Sequence, residues 1–261
     1  MILAVSMSLL LAACSSDDGR DTGGNEAAGG PVERTELTVS AASSLTDAFG
    51  DIGTAFEDEN PGLTITFNFG PSDGLATQIN DGAPVDVFAP ASPTWMDSVQ
   101  EEGPGVSDRA NFARNRLTII VPTGNPAGIL DIGDLAKDGV QLVIAARGVP
   151  AGDYARRIFE NAGISEAALA NVVSNAEDVR AVMMSVASDE ADAGVVYVTD
   201  VTPDVAGRIT QIEIPDQINA IATYPIAVVN DSKEAGLATR FIDYVLGPGQ
   251  RTLADHGFLP A

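Results

Sequence analysis

Strand-length apolar runs alternate with stretches of helical periodicity along most of this chain of 261 residues. Between the runs, apolar side chains recur every three or four residues and so share one face of a helix, as do Leu45, Ala48, Phe49, Ile52 and Phe56. The strand-like runs fall at residues 36–41, 63–69, 85–90, 116–122, 141–146, 194–199 and 224–229. Alternating β and α segments predict an α/β fold built on mostly parallel sheets.

Small or hydroxyl-bearing residues stand where several of the predicted helices begin. Ser44 precedes the first helical run and Asp47 follows three residues later, which predicts a capping box at that N-terminus. Ser72 stands between a strand and the next helix, and Ala151 leads into another helix. A fourth helix is predicted to start at residues 175–176.

These helix starts together indicate an anion site. The first turn of a helix exposes backbone N–H groups that lack a partner and carry partial positive charge. In an α/β sheet such ends meet at the carboxyl edge of the strands, where ligands bind. The sequence therefore predicts a cleft that receives an oxyanion through neutral donors, with the hydroxyls of Ser44, Ser72 and Tyr197 added. No lysine or arginine is required for this chemistry.

The N-terminal segment differs from the rest of the chain. Residues 1–14 are apolar and end in Leu-Ala-Ala-Cys, which is typical of an export signal. This ending resembles the lipobox of bacterial lipoproteins, and the resemblance implies that Cys14, the single cysteine of the chain, is lipidated. Residues 15–36 are rich in Gly, Ser, Asp and Glu, a composition that predicts a flexible tether.

The charge balance excludes several kinds of partner. The formal net charge is −23, from 14 Lys or Arg against 37 Asp or Glu. A charge of this sign repels nucleic acid and anionic lipid, so neither is expected to bind. Beyond the N-terminal run no stretch of about 18 apolar residues predicts a transmembrane helix. A membrane is therefore expected to be reached through a lipid anchor only.

A set of segments, in order, carries a resemblance to one family over nearly all of residues 37–261. They read "LTVSAASSLTDAF", "VPAGDYA", "AEDVRAVMM", "GVVYVTD", "YPIAVV" and the closing "HGFLP". Together they resemble the molybdate-binding proteins of bacterial ABC importers. The resemblance implies a two-lobed, periplasmic-binding-protein-like fold of type II. Residues 37–117 and 224–261 would form lobe I, and residues 118–223 would form lobe II.

The resemblance also implies a function. Such a protein is extracytoplasmic, here anchored to the cell membrane, and works as a monomer. It captures molybdate, and also tungstate, and delivers it to the permease and ATPase subunits of an ABC importer. It has no catalytic residue and no cofactor. Since the metal is bound as its oxyanion, no side chain coordinates it directly.

The binding residues of the family carry over onto five positions of this sequence. The resemblance implies hydroxyl donors at Ser44 and Ser72 in lobe I, backbone amide donors at Ala151 and Val179 in lobe II, and the hydroxyl of Tyr197 in lobe II. An anion that contacts both lobes favours the closed arrangement, because only that arrangement makes all of the contacts.

Three residues near these positions depart from the family pattern. Pro71 has no amide to donate. Asp73 places a carboxylate close to an anion site, and we expect its side chain to point away from the ligand. Arg147 stands where the family is usually uncharged, and we expect it at the surface.

Two alternatives were weighed against this function. An enzyme is disfavoured, because the single histidine, His256, is predicted to lie in the last turn of a terminal helix, where a cation suits the helix dipole. Phosphate loops and dinucleotide fingerprints are absent. The second alternative keeps the fold and changes the ligand to sulfate or phosphate. The sequence leaves this choice open, since Asp73 offers an acceptor to a protonated oxygen.

Overall fold

The computed structural model describes residues 35–203 and 205–261. The strands are β1 (Thr35–Ala42), β2 (Leu63–Gly70), β3 (Val87–Ala89), β4 (Val106–Pro122), β5 (Leu142–Ala145), β6 (Val172–Ala176), β7 (Ala193–Tyr197), β8 (Ile209–Glu213) and β9 (Ile221–Val229). The helices are α1 (Thr46–Glu59), α2 (Ser72–Asn80), α3 (Pro93–Glu102), α4 (Pro150–Asn161), α5 (Ser165–Ala170), α6 (Val179–Ala187), α7 (Ala235–Leu246) and α8 (Gly249–Asp255).

The strands form one nine-stranded mixed sheet in the order β2-β1-β3-β9-β4-β7-β5-β6, with β8 paired to β4. At one end β1 runs parallel to β2 and β3, and at the other end β5 runs parallel to β6 and β7. The two strands between these groups, β4 and β9, run antiparallel to their neighbours. The fold therefore holds two parallel βα units joined through a pair of antiparallel strands.

The long strand β4 takes part in both halves of the sheet. Up to Arg116 it pairs with β9, and from Leu117 onward it pairs with β7 and β8. The change of partner falls at the position where the resemblance puts the boundary between the lobes. The division into lobes itself remains a prediction.

The helices bury the apolar faces that the periodicity predicts. On α1, Phe49, Ile52 and Phe56 are all buried. The ring of Phe49 lies 5.5 Å from that of Phe112 on β4, and the ring of Phe56 lies 5.5 Å from that of Phe241 on α7. Burial of each large apolar side chain contributes about 1.5–3 kcal/mol. This packing fixes α1 on the sheet, and with it the loop that leads from β1 into α1.

Several boundaries differ from those expected of the sequence. Thr35 and Glu36 belong to β1 rather than to the tether. β9 continues through Pro225, whose missing N–H is tolerated beside an irregularity in the pairing of β4 with β9. The sequence did not predict β6, β8 or residues 106–115 of β4, because polar side chains interrupt their apolar pattern.

The predicted signal, Cys14 and nearly all of the predicted tether lie outside the described residues. Within residues 35–203 and 205–261, no helix combines the length and the apolar character that crossing a membrane requires.

Candidate functional site

One small cavity brings together all five positions carried over from the family. The loops after β1, β2, β3 and β5, the end of β7 and the starts of α2, α4 and α6 surround it. Its walls are formed by Ala42, Ser43, Ser44, Gly70, Pro71, Ser72, Ala91, Val149, Pro150, Ala151, Val179 and Tyr197. The centre of a water-sized sphere can move through about 10 Å³ of this space, which is about the room that one water molecule needs. The occupant must therefore be compact.

Ser44 reaches this cavity from a short 3-10 turn, Ser43–Leu45, that stands between β1 and α1. The predicted capping box is wrong: α1 begins at Thr46, one residue later than a cap at Ser44 requires, and no side chain caps it. Because the 3-10 turn intervenes, the Ser44 hydroxyl instead lies 3.0 Å from the hydroxyl of Tyr224 on β9, with either group able to donate. The side chain thus serves the cavity rather than the helix.

Ser72 is the first residue of α2 and is buried. Its Oγ accepts a hydrogen bond of 3.1 Å from the backbone N–H of Ala91. Since that bond uses a lone pair, the hydroxyl proton remains available as a donor. Pro71, the residue before Ser72, also lines the cavity. Because proline has no backbone N–H, it cannot donate a hydrogen bond to a ligand there.

Two helix starts on the opposite wall supply backbone donors. In α4, Pro150 takes the first position, where its missing N–H loses nothing, and Ala151 follows. α6 begins at Val179, not at residues 175–176, because β6 extends through those residues. The carboxylate of Asp178 caps α6 by accepting from the N–H of Ala181 at 2.9 Å. The remaining first-turn N–H groups of both helices have no partner within the helix.

Tyr197 ends β7 with its side chain 1% exposed. Its Oη has no hydrogen-bond partner among the residues that the structure describes. Burial, and next the neighbouring Tyr224, raises the pKa of Tyr197 well above its ordinary value, so the hydroxyl keeps its proton at neutral pH. A buried donor without an acceptor is costly, and the residue that carries this one lines the cavity.

Sequence reasoning missed two polar residues behind the cavity. Tyr224, buried on β9, contacts Ser44 and also accepts from the Nδ2 of Asn115 on β4 at 3.5 Å. Asn115 in turn donates to Oγ1 of Thr199 at 2.8 Å. Burial raises the pKa of Tyr224, so that it too stays neutral. Tyr224 could have been noticed as the one polar side chain in the predicted strand 224–229. Asn115 stands among other polar residues outside any predicted element, so no local signal marks it.

A buried carboxylate holds the backbone of Tyr197. Asp200 is 3% exposed and accepts a 2.9 Å hydrogen bond from the backbone N–H of Tyr197. Burial raises the pKa of Asp200 to about 7, against the opposing effects of that hydrogen bond and of Arg180. Asp200 therefore changes charge near neutral pH.

Two polar contacts flank the cavity and join the segments that form its facing walls. Arg180 on α6 pairs with the carboxylate of Asp47 on α1 at 2.7 Å and donates to the carbonyl of Ser43 at 3.3 Å. On the other side, Nε1 of Trp95 donates to the carbonyl of Gly148 at 2.8 Å. Gly148 has a φ of +91°, which favours glycine at this turn.

The residues that depart from the family pattern, other than Pro71, lie outside the cavity wall. Asp73 does not line the cavity, in line with the expectation that it points away; one of its oxygens is buried without a hydrogen-bond partner among the described residues. Arg147 is exposed, as expected.

Nε2 of His256 lies 2.8 Å from a carboxylate oxygen of Asp51. In residues 35–203 and 205–261, no group of three or more His, Cys, Asp or Glu is placed to hold a metal ion.

Comparison with known proteins identifies the family. Residues 37–259 match the family described as bacterial extracellular solute-binding protein. The molybdate-binding protein ModA of Mycobacterium tuberculosis (strain H37Rv) is 37% identical over 241 residues, which cover 90% of this chain and 90% of that protein. The chain belongs to the ModA family of solute-binding proteins. Members of the ModA family bind a solute and do not convert it, so the chain is not an enzyme.

Other proteins similar to this ModA-family chain extend the comparison. YvgL of Bacillus subtilis, described as an ABC transporter substrate-binding lipoprotein, is 28% identical over 94% of this chain and 90% of its own length. The periplasmic molybdate-binding protein of Azotobacter vinelandii has a TM-score of 0.74 at 20% identity, covering 86% of this chain and 99% of that one. The sulfate-binding protein SubI of Mycobacterium tuberculosis has a TM-score of 0.72 at 17% identity, covering 87% of each chain. These likenesses confirm the predicted periplasmic-binding-protein-like α/β fold.

Proposed function

We propose that this chain captures molybdate in the cavity beside Tyr197 and delivers it to an ABC importer. The observation that carries the proposal is Tyr197, which lines a space surrounded by helix starts and whose buried hydroxyl has no hydrogen-bond partner among the described residues. A tetrahedral oxyanion supplies acceptors in four directions. The names of the ModA relatives support molybdate as that oxyanion.

The predicted donors are the hydroxyls of Ser44, Ser72 and Tyr197 and the amides of Ala151 and Val179. A hydrogen bond to a charged group contributes about 1.5–3 kcal/mol, so these donors together offer roughly 8–15 kcal/mol. Association opposes this with about 4–15 kcal/mol. Micromolar or tighter binding therefore requires donors that are held in position before the anion binds. The burial of the Ser44, Ser72 and Tyr197 side chains indicates that they are held in this way.

The size of the cavity favours a small inorganic anion over an organic one. The cavity has space for about one water molecule, so a compact tetrahedral ion needs far less expansion of it than a sugar, a peptide or an organic phosphate would need. Tungstate, with the same shape and charge as molybdate, is expected to bind as well. Sulfate stays the alternative ligand, because the fold is shared with a sulfate-binding protein.

We further propose that the two parts of the sheet act as lobes that close on the ligand. Residues 37–117 and 224–261 would form lobe I, and residues 118–223 would form lobe II. The change in β4 pairing at Arg116 and Leu117 supports this division. The contacts of Arg180 with Asp47 and of Trp95 with Gly148 would then form only in the closed arrangement.

The setting of the protein is proposed from its N-terminal sequence and its relatives. The chain belongs to an extracellular family, and the lipoprotein YvgL is among its relatives. Lipidation of Cys14 would attach the protein to the cell membrane, with residues 15–34 as the tether. The expected partners are the permease and ATPase of the importer, and the protein is expected to act as a monomer.

Titration calorimetry of the full protein tests the ligand. Molybdate and tungstate are expected to bind with micromolar or lower Kd, and sulfate and phosphate at least tenfold more weakly. The Y197F variant tests the location of the site, because it should weaken the binding of every anion that uses this cavity. Binding of phosphate alone would overturn the choice of ligand while leaving the fold intact.

A further inference from the structure

A buried arginine lies behind the cavity wall formed by the start of α4. Arg156 is 8% exposed. Its Nη1 donates to the carbonyls of Ala145 at 3.0 Å and Gly152 at 2.8 Å, and its Nη2 donates to Oδ1 of Asn175 at 2.7 Å. These acceptors are all neutral. The Nε atom is buried with no acceptor among the described residues.

The charge of this guanidinium is not balanced locally. Within residues 35–203 and 205–261, no carboxylate lies within ion-pair distance of Arg156. The carboxylate that acts on it, Asp153, is exposed and accepts from the N–H of Gly148 at 3.2 Å, and Arg147 adds a second positive charge nearby. Burial lowers the pKa of Arg156, yet an arginine keeps its proton in a protein. A buried cation without an anion is costly.

The position of the charge relates it to the ligand. Arg156 bonds the carbonyl of Gly152, and the preceding residue, Ala151, lines the cavity. The helix start is held tightly against the end of β5: a Cβ added at Gly152 would lie 2.2 Å from the carbonyl oxygen of Ala145. Arg156 itself does not line the cavity. The guanidinium therefore lies outside the cavity, behind the part of the wall that Ala151 forms.

We propose that Arg156 is the buried countercharge for the bound oxyanion and makes the site select dianions over monoanions. It acts without touching the ligand, and the inference rests on the proposed function. Neutral donors recognise the tetrahedral shape and Arg156 matches the charge. Because it is buried, its attraction is screened little by salt. In a chain with a net charge of −23, such a local positive charge offsets repulsion of the anion.

The expected effect scales with the charge of the ligand. Coulomb's law, with an effective dielectric constant of about 20 and a separation of about 10 Å, gives on the order of tenfold in affinity per unit of ligand charge. Removing the Arg156 charge should thus lower the affinity for a dianion by about a hundredfold and the affinity for a monoanion by about tenfold. A purely structural role would weaken both by the same factor.

The test compares molybdate with perrhenate, a tetrahedral tetraoxo anion with a single charge, by titration calorimetry of the full protein. In R156Q the ratio of molybdate affinity to perrhenate affinity is expected to fall about tenfold, whereas R156K should retain the ratio. R157Q is the matched control: it removes the same charge from the adjacent, exposed position, and should leave the ratio unchanged. Equal losses for both anions in R156Q would overturn the proposal.

A second variant tests the same charge if R156Q fails to fold. Asn175→Asp places a carboxylate on Nη2 of Arg156 and neutralises the pair without removing the arginine. The ligand-free protein should be as stable as the wild type or more stable, while molybdate loses about tenfold more affinity than perrhenate. An unchanged ratio in N175D would contradict the inference. Wild-type protein that binds neither anion would instead contradict the proposed function.

Discussion

Replacing Tyr197 with phenylalanine removes one oxygen and keeps the ring, so it separates ligand binding from packing. Tyr197 lines the cavity and is 1% exposed, and its Oη has no hydrogen-bond partner among the described residues. Without ligand, this hydroxyl has lost its water and gained no hydrogen bond in return. Stability and binding should therefore respond to the substitution with opposite signs.

The magnitudes follow from the two states of that hydroxyl. When an anion is bound, the lost hydrogen bond is one to a charged group, worth about 1.5–3 kcal/mol, or about a 10- to 150-fold rise in the Kd for molybdate. When no anion is bound, the substitution removes an unsatisfied buried group, whose penalty is about 1–3 kcal/mol. The free energy of unfolding of ligand-free Y197F should therefore be unchanged or higher.

Titration calorimetry and urea unfolding of the same preparations give both quantities. Tyr244 provides a matched control, because its hydroxyl contacts Glu59 at 3.5 Å on the exterior and does not line the cavity. Y244F should bind molybdate as the wild type does. The reasoning is refuted if Y197F binds molybdate with wild-type affinity, or if ligand-free Y197F is several kcal/mol less stable.

Three further predictions concern the surroundings of the cavity. Because the folded-state pKa of Asp200 is about 7 and that of an unfolded Asp is about 3.9, the folded protein binds the extra proton, and its unfolding free energy should fall by about 4 kcal/mol as pH rises from about 4 to 7. In urea unfolding at several pH values, D200N should lack this fall in unfolding free energy. Identical pH profiles for D200N and the wild type would exclude the contribution of Asp200. R180Q removes a half-exposed ion pair and should weaken molybdate binding by no more than about fivefold, with the difference vanishing near 1 M salt; a loss that persists in salt would show another role. S44A should lower thermal stability by about 1 kcal/mol, since Tyr224 loses its 3.0 Å partner, and should also weaken molybdate binding; unchanged stability would mean that this contact contributes nothing.

The parts of the fold that the sequence predicts are those whose apolar pattern is regular. The buried faces of α1 and α6 and the strands β1, β2 and β5 follow from spacing alone. Strands with polar interruptions, β6 and β8 and the first part of β4, carry no such signal. Their pairing is set by neighbours that are distant in the sequence, and local periodicity contains no information about those neighbours.

The candidate site divides in the same way. Ser44, Ser72, Ala151, Val179 and Tyr197 stand at junctions of strands and helices, which a sequence reveals, and the structure brings all of them to one cavity. The contacts behind the wall depend on tertiary packing instead: the Tyr224 hydroxyl reaches Ser44 across 180 positions, and the buried guanidinium of Arg156 resembles any surface arginine in the sequence. The capping box expected at Ser44 failed because a 3-10 turn precedes the helix.

Anomalous diffraction from a crystal of the protein grown with molybdate tests the central claim most directly. The account predicts one strong molybdenum peak in the cavity, with oxygens within hydrogen-bond distance of the Ser44, Ser72 and Tyr197 hydroxyls and of the Ala151 and Val179 amides. A molybdenum peak elsewhere, or one contacted chiefly by arginine side chains, would contradict it.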